Sequence, residues 1–296
     1  MPPLVRTVHR PLSVGDLVSL TKPRLSGLVL CTCAGGMWLA PGALTPSRWL
    51  LTLLGTAGTV GAANALNCYL ERDVDRVMAR TRNRPLPAGR MDPPVALAFA
   101  VALAGVALPI LALGSNLLTT GLGLLALVIY VGVYTPLKPH TDAAMLVGAV
   151  PGALPPLMGW TAVTGRLDGP GLLLFGVLFA WQLPHFLAIA LFRKAEYRAA
   201  GLVTVPLRLG DDASRWWMVA TTAVLVPLTL ALVPLHVAGT MYLVVAAGLG
   251  AAFLGVQGWG AVRRLGQGWA RKSFFFSLVY LAGLFAALFL NASARH

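Results

Sequence analysis

Apolar runs of about 20 residues recur along the chain, near 25–44, 48–70, 93–113, 117–135, 143–163, 171–192, 216–235, 239–261 and 274–292, with short polar segments between them. Each is long enough to cross a bilayer as a helix. None alternates over about 10 residues, as the strand of a membrane barrel would. The pattern predicts an all-α, polytopic membrane protein with nine transmembrane helices. No fixed short repeat divides it, so a single domain over 25–292 is expected, after a cytoplasmic tail at 1–24 and before a short end at 293–296. The N-terminal stretch MPPLVRTVHRPLSVGDL is basic but has no apolar core, so it does not read as a cleavable signal.

Composition agrees. The chain is 57% hydrophobic and only 11% charged, where a soluble chain carries about a quarter charged residues. The net charge of +13 raises the question of nucleic acid. The placement of the cations answers it, because they lie in short loops between apolar runs. With the N-terminus taken as inside, all but three (Arg48, Arg166 and Arg295) of the 23 basic residues fall on the inner side. That asymmetry is the positive-inside signature, and it puts the C-terminus outside. Cys31, Cys33 and Cys68 are odd in number and contain no C-x-x-C pair, so no disulfide framework or zinc site is expected.

Positive-inside topology says little about acids, yet every acid except Asp168 also falls on the inner side. The densest group is NALNCYLERDVDRVMARTRNRPLPAGR at 64–90. On a helix at about 100° per residue, Asn67, Glu71 and Asp75 fall within about 60° of Asn64, and Asp73 points the opposite way. The stripe presents two amides and two carboxylates at the inner end of the second span. Hard oxygen ligands of this kind suit Mg²⁺, which binds through one or two carboxylates together with substrate phosphates. Arg80, Arg82 and Arg84 follow, and guanidinium forks match phosphate oxygens. The stretch therefore reads as the two halves of a metal–diphosphate site. Polar groups at membrane depth are costly and mostly functional.

N-x-x-x-E-x-x-x-D at Asn67, Glu71 and Asp75, with RTRNRPLPAGR at 80–90, resembles the first N-x-x-x-D-x-x-x-D motif of the UbiA superfamily of intramembrane prenyltransferases. Glu71 stands where that motif has Asp. LTKPRLSGLVL (20–30), YTPLKPHT (134–141), GALPPLMGWTAVTG (152–165), WQLPHFLAIAL (181–191) and EYRAAGLVTVP (196–206) are similar to the heme-farnesylating branch. The resemblance covers residues 20 to about 210.

It implies nine helices around a central lipid-open cavity with the active face cytoplasmic, and the short N-terminus favours a bacterial inner membrane over a mitochondrial one. The resemblance implies Mg²⁺ as cofactor on Asn67, Glu71 and Asp75. Heme B and farnesyl diphosphate are the implied substrates, giving heme O with addition of water, in a membrane-lipid setting. Heme A synthase or a terminal oxidase pathway follows downstream, and no nucleic acid is involved. The second Asp-rich motif of most superfamily members is absent after the sixth span. His185 and Glu196 stand there instead, on nearly one face if the helix runs unbroken.

On this reading the diphosphate contacts are Asn64, Arg80, Arg82, Arg84, Lys138, Arg193 and Lys194. The heme or prenyl pocket takes Lys22, Arg24, Tyr130, Tyr134, Trp160, Trp181, His185 and Glu196. Tyr130, Tyr134 and Lys138 repeat at i, i+4 and i+8, one face of the fourth span, and aromatic faces stabilise positive charge. His185 fits an iron ligand, a propionate partner or a proton handler, and the sequence leaves all three open. Two rival functions also remain open. One is a UbiA-type enzyme acting on a quinone precursor or chlorophyllide. The other is a heme-binding membrane transporter, against which stands the gathering of polar groups at one end rather than at the midplane.

Overall fold

The computed structural model describes residues 13–293, with side chains to residue 290. The first part of the predicted N-terminal tail (1–12) and the end at 294–296, with Arg6, Arg10 and Arg295, lie outside the described residues. The described chain is helical and contains no strand. Its helices are α1 (Val14–Leu20), α2 (Pro23–Leu39), α3 (Pro46–Leu70), α4 (Arg72–Val77), α5 (Pro93–Gly114), α6 (Leu117–Leu137), α7 (Ala144–Thr164), α8 (Gly169–Phe192), α9 (Lys194–Ala199), α10 (Val205–Arg208), α11 (Gly210–Leu230), α12 (Thr240–Val262) and α13 (Gln267–Ser293). Among the described residues seven helices, α3, α5 to α8, α12 and α13, are long and apolar enough to cross a membrane. Two of the nine expected spans differ. α2 has 17 residues, about 25 Å at 1.5 Å per residue and short of a ~30 Å hydrocarbon core. α11 carries Asp211 and Asp212 in its first turn.

The helices close into one bundle. α3 runs along α5, and α6 packs on α7, which also meets α2 and α8. α11, α12 and α13 follow in order, with α13 returning to α8 and α2. α7 and α8 are the central pair, with 72% and 61% of their apolar windows buried, against 22% in α5. The outer helices show large apolar side chains, such as Leu113, Leu117 and Val244. A surface of that kind belongs against lipid.

Three local features depart from regular helices. α3 stops at Glu71 (φ −88°, ψ 5°), so the expected continuous helix through Asp75 is two helices, although the Asp75 N–H still donates to the Glu71 carbonyl at 2.8 Å. α8 ends at Arg193 (φ −108°, ψ 17°) before α9, so His185 and Glu196 do not share an unbroken helix. Within α6 the stretch Ile129–Tyr134 is a π-helix, the wide i→i+5 turn that concentrates at functional sites. The end of the segment expected as the N-terminal tail is docked on the bundle. Leu20 of α1 is buried against Ala65, Cys68, Leu86 and Met91.

Candidate active site

A cavity of about 460 Å³ opens among α2, α3, α6, α7 and α8. One face of α3 lines it at Thr56, Thr59, Ala63, Asn64, Asn67 and Glu71. Gly123, Leu127 and Tyr130 of α6 stand opposite, with Gly148, Pro155 and Met158 of α7. The spacing follows from helical geometry, since residues three and four apart share a face. From Asn67 down to Thr56 the wall is 11 residues, about 16 Å deep. Its lower part is apolar or hydroxyl-bearing, and all its charges lie at the end that carries the basic loops.

There Asn67, Glu71 and Asp75 each hold a cation. The Lys22 ammonium donates to Asn67 Oδ1 at 2.7 Å, Lys138 Nζ to Glu71 Oε1 at 2.8 Å, and Arg84 to Asp75 Oδ2 at 2.6 Å. Asp75 is 3% exposed and Asn67 1%. Asn64 donates to the Thr21 carbonyl at 3.2 Å, which ties the α1–α2 turn to α3. Lys22 itself sits in that turn with φ 49°, a left-handed conformation uncommon outside glycine, and its side chain is anchored on Asn67. Lys138 also lies 4.7 Å above the Tyr134 ring, a cation–π contact. Asp73, which the helical angles excluded from the stripe, is exposed and pairs with Arg76 at 3.1 Å.

The two lysines differ electrostatically. Burial, the largest cause, pushes the Lys22 ammonium below its usual value. Burial works the same way on Lys138, but the Tyr134, Glu71 and Tyr130 oxygens around it outweigh that and hold it above the usual value. Burial also raises the Tyr197 hydroxyl.

Among the described residues no cluster of three or more His, Cys, Asp or Glu side chains is placed to hold a metal alone. Three carboxylates, Glu71, Asp75 and Asp142, line the cavity with the amides of Asn64, Asn67 and Gln182, and Asp142 is paired with Arg208 at 2.9 Å. That donor set fits Mg²⁺, which keeps waters and completes its shell with phosphate oxygens. It does not fit zinc or copper, which want imidazole or thiolate.

Of the other residues expected in the site, Asn64, Arg80, Arg84, Lys138, Lys22, Tyr130 and Tyr134 line the cavity with the stripe. Arg24 and Arg82 are exposed and stand outside the cavity lining. Arg193 pairs with Glu196 at 2.8 Å and Lys194 with Asp211 at 2.5 Å, away from the lining. His185, Trp181 and Trp160 also lie outside the lining. His185 Nδ1 is 2.7 Å from Ser277 Oγ, whose own proton goes to the Phe274 carbonyl, so the imidazole donates. Its ring lies 4.7 Å from both Trp181 and Phe274. Trp181 Nε1 donates to the Ser277 carbonyl at 2.7 Å. The pair thus fastens α8 to α13, with both side chains outside the cavity lining. Trp160 is buried beside Gly171 with its indole N–H unpaired.

The cavity also recruits Gln182, Tyr197 and Thr204, and Thr135 stands behind it. Gln182 was findable as a lone amide in an apolar run. Its N–H groups both go to backbone, to Ala149 and Leu178 carbonyls, so its oxygen is the end left for the cavity. Thr135 and Tyr197 carry no comparable signal.

Known proteins resemble this chain in sequence and in fold. The model of the UbiA prenyltransferase family matches residues 28–279. A protoheme IX farnesyltransferase of Myxococcus xanthus is 63% identical over 98% of this chain and 99% of its own. Another from Anaeromyxobacter dehalogenans is 57% identical over 97% of each. The structure of a digeranylgeranylglyceryl phosphate synthase superposes with a TM-score of 0.81 over 94% of this chain and 98% of that one, at 16% identity. A UbiA homolog from Archaeoglobus fulgidus bound to DMAPP and Mg²⁺ gives 0.67 over 92% and 99%, at 18% identity. At such identities the likeness speaks for the fold. The acid stripe, the helical cavity, the family match and the near-full-length relatives converge: the chain belongs to the UbiA prenyltransferase family, where it groups with protoheme IX farnesyltransferases, and it is a multi-pass membrane transferase.

Proposed function

We propose that this protein transfers the farnesyl group of farnesyl diphosphate to a vinyl group of heme B, with addition of water, to give heme O. The observation that carries the proposal is one cavity with Asn67, Glu71, Asp75, Lys22, Lys138, Arg80 and Arg84 at its mouth and a largely apolar body below, broken by Gln182, Thr56 and Thr59. The mouth matches a diphosphate and the body an isoprenoid chain. Bound Mg²⁺ would supply positive charge to the leaving diphosphate oxygens. Glu71, Asp75 and the Asn67 oxygen would hold it, so Lys22, Lys138 and Arg84 turn from these oxygens to the phosphates.

In the reaction the bond between farnesyl C1 and oxygen breaks, and its electron pair leaves with the diphosphate. The vinyl π electrons close the new carbon–carbon bond. Water adds to the resulting cation and gives up a proton. The Tyr130 and Tyr134 rings, 5.4 Å apart on the cavity wall, stabilise the allylic charge, and the apolar wall keeps water from quenching it early. We place the mouth on the cytoplasmic side of a bacterial inner membrane, since the basic loops share that end.

Membranes carrying the protein, given heme B, farnesyl diphosphate and Mg²⁺, should yield a heme heavier by one farnesyl group and one hydroxyl. Chelation should abolish it. Failure to form any prenylated heme, or full activity in chelator, would sink the proposal. Lys138→Met should raise KM for the diphosphate substrate about tenfold or more, as loss of one charge-assisted bond predicts. An unchanged KM would remove Lys138 from the diphosphate site.

A further inference from the structure

We infer that Thr135, held in place by the π-turn of α6, is the positioning residue that aims the Asn67 carboxamide at the metal. This rests on the reading of Asn67 as a metal ligand given above.

The hydrogen-bond directions leave one arrangement. A lysine ammonium only donates, so the Asn67 atom facing Lys22 at 2.7 Å is the oxygen. The Asn67 amide N–H₂ then faces Thr135 and donates to its Oγ1 at 3.1 Å. The Thr135 proton is already committed to the Tyr130 carbonyl at 2.8 Å, so Oγ1 can only accept from Asn67. The chain Asn67 N–H to Thr135 Oγ1 to Tyr130 carbonyl has one polarity throughout. Flipping the amide would set its oxygen against an acceptor and its N–H₂ against an ammonium. Thr135 is 5% exposed and Asn67 1%, so water does not compete for these bonds.

The π-turn is what puts Thr135 there. In an unbroken α-helix Thr135 would lie about 140° round the axis from Tyr130, at about 100° per residue. In the wide turn its backbone N–H reaches the Tyr130 carbonyl five residues back, which stacks Thr135 over Tyr130 on the face turned to α3. The same carbonyl therefore receives both the N–H and the hydroxyl of Thr135. One irregular turn sets Tyr130 and Tyr134 on the cavity wall and Thr135 on the metal ligand.

Partners behind a ligand set its orientation, and their loss commonly weakens metal binding tenfold or more. The test uses the full-length protein in detergent, with Mg²⁺ and inorganic diphosphate as probe. The readout is the Mg²⁺ concentration at the midpoint of the rise in thermal stability. Thr135→Val, which keeps the shape and loses the acceptor, should move that midpoint up about tenfold. Thr135→Ser should restore it to within about twofold, and Thr135→Ala should match the valine variant if the latter folds poorly. In an Asn67→Ala background Thr135→Val should add nothing, because the two act through one bond.

A wild-type midpoint in Thr135→Val, with a raised one in Asn67→Ala, would overturn the inference and leave the metal ledge standing. Failure of Thr135→Ser to restore it would overturn the inference in favour of packing. Absence of any Mg²⁺ response in the unaltered protein would bring down the metal reading and this inference with it.

Discussion

Asp75→Asn should lower prenyl transfer about a thousandfold while Asp73→Asn, two residues away, changes it less than about twofold. The contrast follows from placement. Asp75 is 3% exposed, lines the cavity and holds Arg84 at 2.6 Å. Asp73 points away and bonds Arg76 in the open. Charge stabilisation at a leaving phosphate by a held cation is worth several kcal/mol, and about 4 kcal/mol is a factor of about a thousand in rate. The asparagine keeps the shape and still accepts from Arg84, so the fold survives and heme binding, followed by its absorbance, should persist. Turnover of Asp75→Asn above a tenth of wild type, or equal losses in both variants, would refute the assignment of the metal ledge.

Gly36→Ala and Gly159→Ala should each cost about 1–3 kcal/mol or more of stability, the range for forcing atoms into a packed core. α2 and α7 cross at these two positions. A Cβ at Gly36 would land on the Pro156 carbonyl oxygen, and one at Gly159 on the Cys33 carbonyl oxygen. Both obstacles are backbone, which a side-chain rotation cannot relieve. Helices in lipid gain their association from such close approach, because the solvent offers no hydrophobic drive. Gly105→Ala is the control: nothing lies within 4 Å of its Cβ, and alanine there should be neutral or mildly stabilising. Thermal unfolding in detergent, read by loss of the monodisperse peak, checks this. Crossing variants that melt with the Gly105→Ala control would show that the crossing tolerates a wider spacing.

Both predictions mark where the sequence can be read and where it cannot. The stripe of Asn64, Asn67, Glu71 and Asp75 is legible from spacing alone, because every member keeps its face despite the break at Glu71. Tyr130, Tyr134 and Lys138 are legible in the same way. His185, Trp181 and Trp160, expected in the pocket, stand outside the cavity lining, and the reason such residues are hard to place from sequence is physical. α7 and α8 are buried on most sides, so both faces are apolar and no periodicity separates the cavity face from the face packed on a neighbour. His185 lies outside the cavity lining, and its Nδ1–H is held by Ser277, which leaves Nε2 as the acceptor. Arg193, Lys194 and Glu196 depend on a helix break at Arg193 that leaves no strong signature in the local residues.

The sequence by itself determined the class of the protein, the positions of most of its apolar spans, the end where its charge gathers and the oxygen-bearing stripe that lines its cavity. These follow from burial in lipid and from the 3.6-residue turn, which act on each segment alone. Only the tertiary structure decided which cation meets which acid, which face of α8 sees the cavity, and how a π-turn sets Thr135 behind Asn67. Those depend on the relative rotation and depth of helices. In lipid these are fixed by backbone contact and by hydrogen bonds between residues far apart in the chain, such as Asn67 and Thr135.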